Sequence, residues 1–247
     1  MAQTDYYDTN AKYLGTFGSG TPVARQIIPR DDYNKITAAY REQQERAAQT
    51  FREQTTPRAG RAPAIDNSIL ARDLFSSDVE AKLLAASKTL NIQSNGAAVV
   101  AGLVQSAKSS RKEQGAYIAL QYSTAKLVYI VANPVSSSEV DFVFSLQRYQ
   151  DMRFVPGDMT MQIIATVHTH YANVAAMART VGGGQVRYSI RPAVSDKDQN
   201  SARTEKIVVY AVDENYVHKA MPDGQARNKL ARSLDITIDA LESYGRN

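Results

Sequence analysis

A chain of 247 residues with 43% hydrophobic content is long enough to bury a sizeable core, in one large domain or in a modest domain with an extended arm. Its net charge of +4 is mild, and no apolar run approaches the roughly 20 residues that cross a bilayer. With no cysteine there are no disulfides, no thiolate nucleophiles and no thiolate-held zinc, so a metal site here has to be built from imidazole and carboxylate.

The opening Met1-Ala2-Gln3-Thr4-Asp5-Tyr6-Tyr7 lacks the basic and apolar regions of a signal peptide, so synthesis in the cytoplasm without one is expected. Residues 1–65 are broken by Gly15, Gly18, Gly20, Pro22, Pro29, Pro57, Gly60 and Pro63 and hold few large aliphatics. They read as an N-terminal arm, partly disordered or ordered on a partner. Within it, Asp31 to Gln54 fits one polar helix with a thin apolar stripe of Tyr33, Ile36, Tyr40 and Phe51. Arg41, Arg46 and Arg52 alternate with Glu42, Glu45 and Glu53, the pattern of a solvated face rather than a nucleic-acid groove.

A compact domain is expected over residues 66–247. Ile69, Leu70, Leu74 and Phe75 precede Ser77-Asp78-Val79-Glu80, a capping-box pattern that predicts a helix start before Leu83, Leu84 and Ala85. After Asn95-Gly96, the small apolar run Ala97 to Ala107 predicts a second helix ending near Ser109-Ser110. The period then changes. Ala116 to Tyr122 and Ala125 to Ala132, separated by Ser123-Thr124, predict a β-hairpin, and a third strand follows from about Gln162 to His168.

A short helix is expected over Ala172 to Thr180, then a break at Gly182-Gly183-Gly184. Lys206 to Val212 reads as a buried strand with Tyr216 to Ala220 as its hairpin partner. In Gln225 to Tyr244, Leu230, Leu234, Ile238 and Leu241 fall at helical spacing. This order of elements indicates an α+β (mixed α/β) fold rather than a doubly wound sheet.

Two of the three histidines occur as Val167-His168-Thr169-His170 at a strand end, where residues two apart share a face and both imidazoles can reach one ion. Ser195-Asp196-Lys197-Asp198 places a hydroxyl and a carboxylate three apart at an apparent helix start. Two histidines and one aspartate would leave a zinc ion one open position. Ser195 and Asp198 also suit an ordinary N-cap. Asp196 competes with Asp198 as a ligand. Glu113, in Arg111-Lys112-Glu113, reads by itself as a solvated acid, and His218 as a strand-surface residue. The fourteen tyrosines are scattered and form no stacking platform.

Glutamate, then His-x-His at a strand end, then Ser-x-x-Asp opening a helix: this order resembles the JAB/MPN (JAMM) metallopeptidase superfamily. Gly115-Ala116-Tyr117-Ile118, Val167-His168-Thr169-His170 and Lys206-Ile207-Val208-Val209-Tyr210 are most similar to the JAB-related C-terminal domains of bacterial Rhs and other polymorphic toxins. The resemblance covers residues 66 to the C-terminus. It implies a central, mostly antiparallel sheet flanked by helices, with His168, His170 and Asp198 as zinc ligands, Glu113 as general base and acid, and Ser195 as an oxyanion donor.

It also implies a hydrolase of peptide or isopeptide bonds acting as a bacterial toxin or effector, with a delivery or immunity protein as partner and a specialised secretion system as its route out. Tyr171 stands where the family usually has proline, and the spacer from His170 to Ser195 is long. These departures keep open a second reading, a catalytically inactive JAB-like binding or scaffold module.

Overall fold

The structure, a computed structural model, describes residues 3–18, 24–55, 67–93, 96–138, 141–170, 175–179, 185–189, 194–213, 216–230 and 235–246. The chain divides into two compact units, Met1–Leu90 and Asn91–Asn247.

The first unit contains β1 (Thr4–Tyr7), β2 (Tyr13–Phe17), β3 (Ala24–Ile27), the helices α1 (Arg30–Thr55) and α2 (Asn67–Ala86), and β4 (Lys88–Thr89). Its sheet order is β2-β1-β3-β4, with β1 parallel to β3. Asp8 makes the first turn: its Oδ1 accepts the Asn10 and Lys12 amides at 2.9 and 2.8 Å, while Oδ2 takes the Arg30 guanidinium at 2.7 Å. A β-carbon on Gly15 would meet the Tyr33 hydroxyl at 2.2 Å, so only glycine lets that ring lie against the strand.

The core here is largely aromatic. Tyr6, Ile28, Tyr33, Val79 and Leu83 are buried together, with Leu14, Phe17, Ile36 and Tyr40 packed against them. The stripe read from the sequence is therefore the packed face of α1, except that the Phe51 side chain lies outside the described residues. The expected arm over residues 1–65 thus holds, in its described part, three strands and a helix. Tyrosine and phenylalanine supply the apolar area that a count of aliphatics overlooks. The division falls after Leu90 because α2 packs on α1.

α2 also runs straight through Ser77-Asp78-Val79-Glu80, and no helix starts there. Val79 and Leu83, one turn apart, face the core, while Asp78 reaches Lys82 at 2.6 Å on the exposed side. Tertiary burial on one face outweighs the capping potential of the serine.

The second unit is built on β5 (Asn91–Ile92), α3 (Gly96–Ser110), β6 (Gly115–Gln121), β7 (Lys126–Val131), β8 (Ser136–Ser137), β9 (Phe142–Val143), β10 (Gln147–Tyr149), β11 (Met152–Val155), β12 (Asp158–Thr169), β13 (Ala175–Arg179), β14 (Gln185–Ser189), α4 (Asp196–Glu205), β15 (Val208–Val212), β16 (Val217–Ala220), β17 (Ala226–Leu230) and α5 (Ile236–Gly245). The fold class is mixed α+β. The main sheet has the order β17-β16-β15-β12-β6-β7-β5, antiparallel except for β12 with β15 and β5 with β7.

β12 is the spine of this sheet. One edge pairs with β6, and the other pairs first with β11 and then with β15. The register puts His168 opposite Gly115 on one side and Ala211 on the other. Tyr210 and Lys219 pair with each other and, by strand alternation, point to the opposite face. α4 packs on the His168 face, where Val194, Ala202, Val209 and Ala220 form one cluster. α5 packs on the other face, where the Tyr244 hydroxyl meets Gln162 at 3.2 Å and Thr237 meets Tyr129 at 3.0 Å.

The predicted helix at 97–107, the hairpin of β6 and β7, the strand ending at His168 and the pair β15 and β16 are all present. Two expectations are corrected. Ala175–Arg179 is a strand paired antiparallel with β14, despite its alanines, because cross-strand pairing overrides helix propensity. Residues 225–244 are not one helix: Ala226–Leu230 is a strand on β16, and α5 begins only after Asp235. Gly224, at φ +84°, closes the turn that returns the chain to the sheet. The Asp235 carboxylate then accepts the Thr237 and Ile238 amides at 3.0 and 3.3 Å, an N-cap that fixes the helix start.

Candidate metal centre

β12 delivers both histidines. Val167-His168-Thr169 is still paired on both sides, and just past its end the His170 amide donates to Val212 O at 2.8 Å, which keeps the chain straight through the second imidazole. The rings therefore lie on the same side, with centroids 5.0 Å apart. α4 delivers the carboxylate. Ser195 caps it: the hydroxyl accepts the Asp198 amide at 3.1 Å, and the Asp198 carboxylate accepts the Ser195 amide at 2.9 Å. This reciprocal box, worth about 1 kcal/mol at a typical helix N-terminus, also aims Asp198 at β12.

The three side chains converge. His168 Nε2 lies 3.2 Å from Asp198 Oδ1, His170 Nε2 lies 3.5 Å from Oδ2, and the two Nε2 atoms are 3.1 Å apart. Donors on a tetrahedron with metal–nitrogen bonds of about 2.0–2.1 Å are separated by about 3.3 Å, so these spacings suit a small divalent cation. The chemistry of the donors suits it as well. With a proton on each Nε2 for the carboxylate, the two N–H groups would oppose each other across 3.1 Å; a cation lets every lone pair point inward. The group His168, His170 and Asp198 could hold a metal ion. Ser195 Oγ, 2.8 Å from Asp198 Oδ2, donates to the carboxylate and holds it from outside. One feature departs from common practice: His168 Nδ1 is buried and has no hydrogen-bond partner among the described residues.

Charge is tightly coupled here. Burial alone would lower the His168 pKa, but the hydrogen bond and charge of Asp198, aided by Glu113 and Asp141, outweigh it and raise it. Burial would raise Asp198, yet hydrogen bonds and charge from His168 and His170 hold its carboxyl far below the usual range. Glu113 is only 4% exposed, contrary to its reading as a solvated acid. Burial pushes its carboxyl up to about 7, with Asp198 and Asp141 adding to the rise and His168 and Lys197 opposing it.

Glu113 is buried by residues the sequence reading did not single out. The β8–β9 ribbon is bonded onto it: the Glu113 amide donates to Ser138 O and the Ser137 hydroxyl donates to Glu113 O, each at 2.7 Å. Phe142 and Phe144 then cover Gly115, where a β-carbon would meet Phe142 at 2.6 Å, and the Phe144 ring stands 6.2 Å from that of His168. Gln114 and Thr169 exchange hydrogen bonds at 2.8 and 2.9 Å, tying the start of β6 to the His-x-His segment. Asp141 meets Lys197 at 3.2 Å and so bridges the ribbon to α4. The alternation Phe142-x-Phe144 was the one available signal for this wall.

Asp196 is exposed and outside the group. His218 is also outside it, but it is no surface residue: it is 2% exposed, with Nε2 3.4 Å from Asp213. It shares the row His168–Ala211–His218 across β12, β15 and β16, and Ala211 keeps it one strand away from the site. Tyr171, the triple glycine and most of the long spacer to Ser195 lie outside the described residues. The chain matches no protein-family model and no curated protein.

Proposed function

We propose that this protein is a zinc-dependent hydrolase of peptide or isopeptide bonds. The observation that carries the reading is the meeting of two imidazoles and one carboxylate beside a buried glutamate whose carboxyl is pushed up to about 7. In this reading His168, His170 and Asp198 hold the ion, which when bound supplies Lewis acidity and an acidified water.

Glu113 does the proton work. A carboxyl near neutrality can take a proton from the attacking water and return it to the leaving amine, where an ordinary surface glutamate would be too weak a base. Its burial keeps bulk water from that carboxylate. Ser195 orients Asp198 through its hydroxyl, and in this reading the same hydroxyl, turned away from the carboxylate, donates to the oxyanion. The resemblance to the JAB/MPN superfamily supports the same roles from the sequence side, and a setting as a toxin or effector domain with a delivery or immunity partner rests on that resemblance alone.

The test is elemental analysis of the purified chain after incubation with zinc, followed by hydrolysis of labelled peptide and isopeptide substrates. One zinc per chain, lost in His168→Ala, together with cleavage lost in Glu113→Gln, is the expected result. Absence of stoichiometric zinc refutes the reading. Zinc without cleavage of either bond type leaves the inactive binding or scaffold module instead.

A further inference from the structure

We propose that the cleft beside the metal centre binds an uncharged, apolar stretch of substrate as an added strand on the open edge of β7; this rests on the hydrolase reading for the role of the bound segment. The cleft has a volume of about 420 Å³, within the roughly 300–1,000 Å³ of ligand clefts. Tyr117, Ile130, Val131, Pro134, Val135 and Val155 give it an apolar lining, and Asn133 and Ser145 add neutral polar groups. Among the described residues, none that lines the cleft carries a charge, and the Tyr117 hydroxyl is already committed to Ser145 O at 2.7 Å. An acidic or basic side chain would lose its hydration there without finding a counter-ion.

The cleft lies near the site, although the two share no lining residue. Tyr117 and His168 lie on the same face of the sheet by register, and the Phe144 ring stands between them, 5.5 Å from one and 6.2 Å from the other. The row His168–Gly115–Ala132 crosses three strands, since Gly115 pairs with His168 and accepts the Ala132 amide. At about 4.8 Å per strand, the β7 edge lies on the order of 10 Å from the His168 backbone, the reach of about three extended residues.

Among the described residues, no strand pairs with β7 beyond Leu127. The Tyr129 amide points outward to the Gln93 side chain at 3.0 Å, and the Ala132 amide points inward to β6. Alternation therefore turns the amide and carbonyl of Val131 toward the open edge. Val131 is 64% exposed and Val135 on the facing ribbon 70%. A bare apolar edge is a pairing hazard that folded proteins usually blunt with charge, bulge or cover. Left open beside a hydrolytic centre, it offers main-chain hydrogen bonds for affinity and an apolar cleft for selection.

Fluorescence anisotropy with the zinc-loaded Glu113→Gln protein tests this without turnover. The probes are a labelled peptide of about ten residues with valine, leucine and phenylalanine at alternate positions, the same peptide with serine in their place, and the first peptide N-methylated at alternate amides. The first should bind at least about tenfold more tightly than the other two, and Val135→Glu should reduce its binding by about tenfold with zinc content unchanged. Val135 is an exposed position, so folding is not at stake. Equal binding of the three peptides, no binding, or a change of oligomeric state on Val135→Glu with peptide affinity unaltered overturns the proposal; the last would make the edge a contact between copies. Cleavage that persists unchanged in Val135→Glu would also sink it while leaving the hydrolase reading intact. Selective peptide binding by a chain that holds no zinc would do the reverse.

Discussion

Two buried polar corners sit on opposite faces of the same sheet, and they are finished differently. On the α5 face, Asp239 accepts Lys219 Nζ at 2.7 and 3.0 Å and the Tyr210 hydroxyl, and Lys219 reaches Ser243 at 3.0 Å. Every charge there meets a fixed partner of opposite sign. On the α4 face, Asp198 meets two imidazoles whose nitrogens also crowd each other at 3.1 Å. The first corner is complete as it stands and fastens a helix. The second could hold a cation, and that incompleteness, rather than burial or charge as such, marks it as a candidate binding site instead of a brace.

Exchanging carboxylates for alanine in the two corners gives the largest expected contrast. Asp198→Ala should abolish stoichiometric zinc, lowering affinity by more than the 10–100-fold typical of outer-shell changes, as read by chelator competition. Glu113→Gln should keep the zinc and lose about 10²–10⁴-fold in hydrolysis rate, which separates holding the ion from moving the proton. Asp239→Ala should leave metal affinity alone and cost about 3–5 kcal/mol in denaturant unfolding, because it strands a buried ammonium. If Asp239→Ala weakened zinc as much as Asp198→Ala, the distinction between the corners would fail.

Smaller effects sharpen it. Ser195→Ala should reduce zinc affinity by about 10–100-fold and helix stability by about 1 kcal/mol, since one hydroxyl both caps α4 and holds the ligand. Metal-free protein should show the Glu113 shift as a pH dependence. A carboxyl raised in the folded state favours folding while protonated, so its contribution is complete below about 4.5 and is lost as pH rises through about 7. Melting temperature should fall across that window and fall less in Glu113→Gln. The raised His168 pKa acts in the same direction, so the glutamine variant should flatten the profile only in part.

Much of the centre was legible beforehand because its parts are local. His-x-His on a strand obeys the two-residue alternation, and Ser-x-x-Asp is a capping box whatever it faces. Long-range burial was not legible. Arg111-Lys112-Glu113 looks solvated until the ribbon from Ser136 to Val143 folds across it, and Tyr216-Val217-His218 looks like a surface strand until β17 covers its edge. Helical spacing of Leu230 and Ile238 misled for the same reason: pairing of Ala226–Leu230 with β16 and a cap at Asp235 cut the segment in two.

The sequence by itself determined the donor types, the absence of thiolate, the pairing of β6 with β7 and of β15 with β16, and the strand and helix that present the donors, since alternation, capping and composition act over a few residues. Only the tertiary structure decided that strand β12 and helix α4 meet, that Glu113 is buried beside them, and that tyrosines close a core of their own before Leu90. Those outcomes depend on register between distant strands and on which face is covered, quantities set by the packing of the whole sheet.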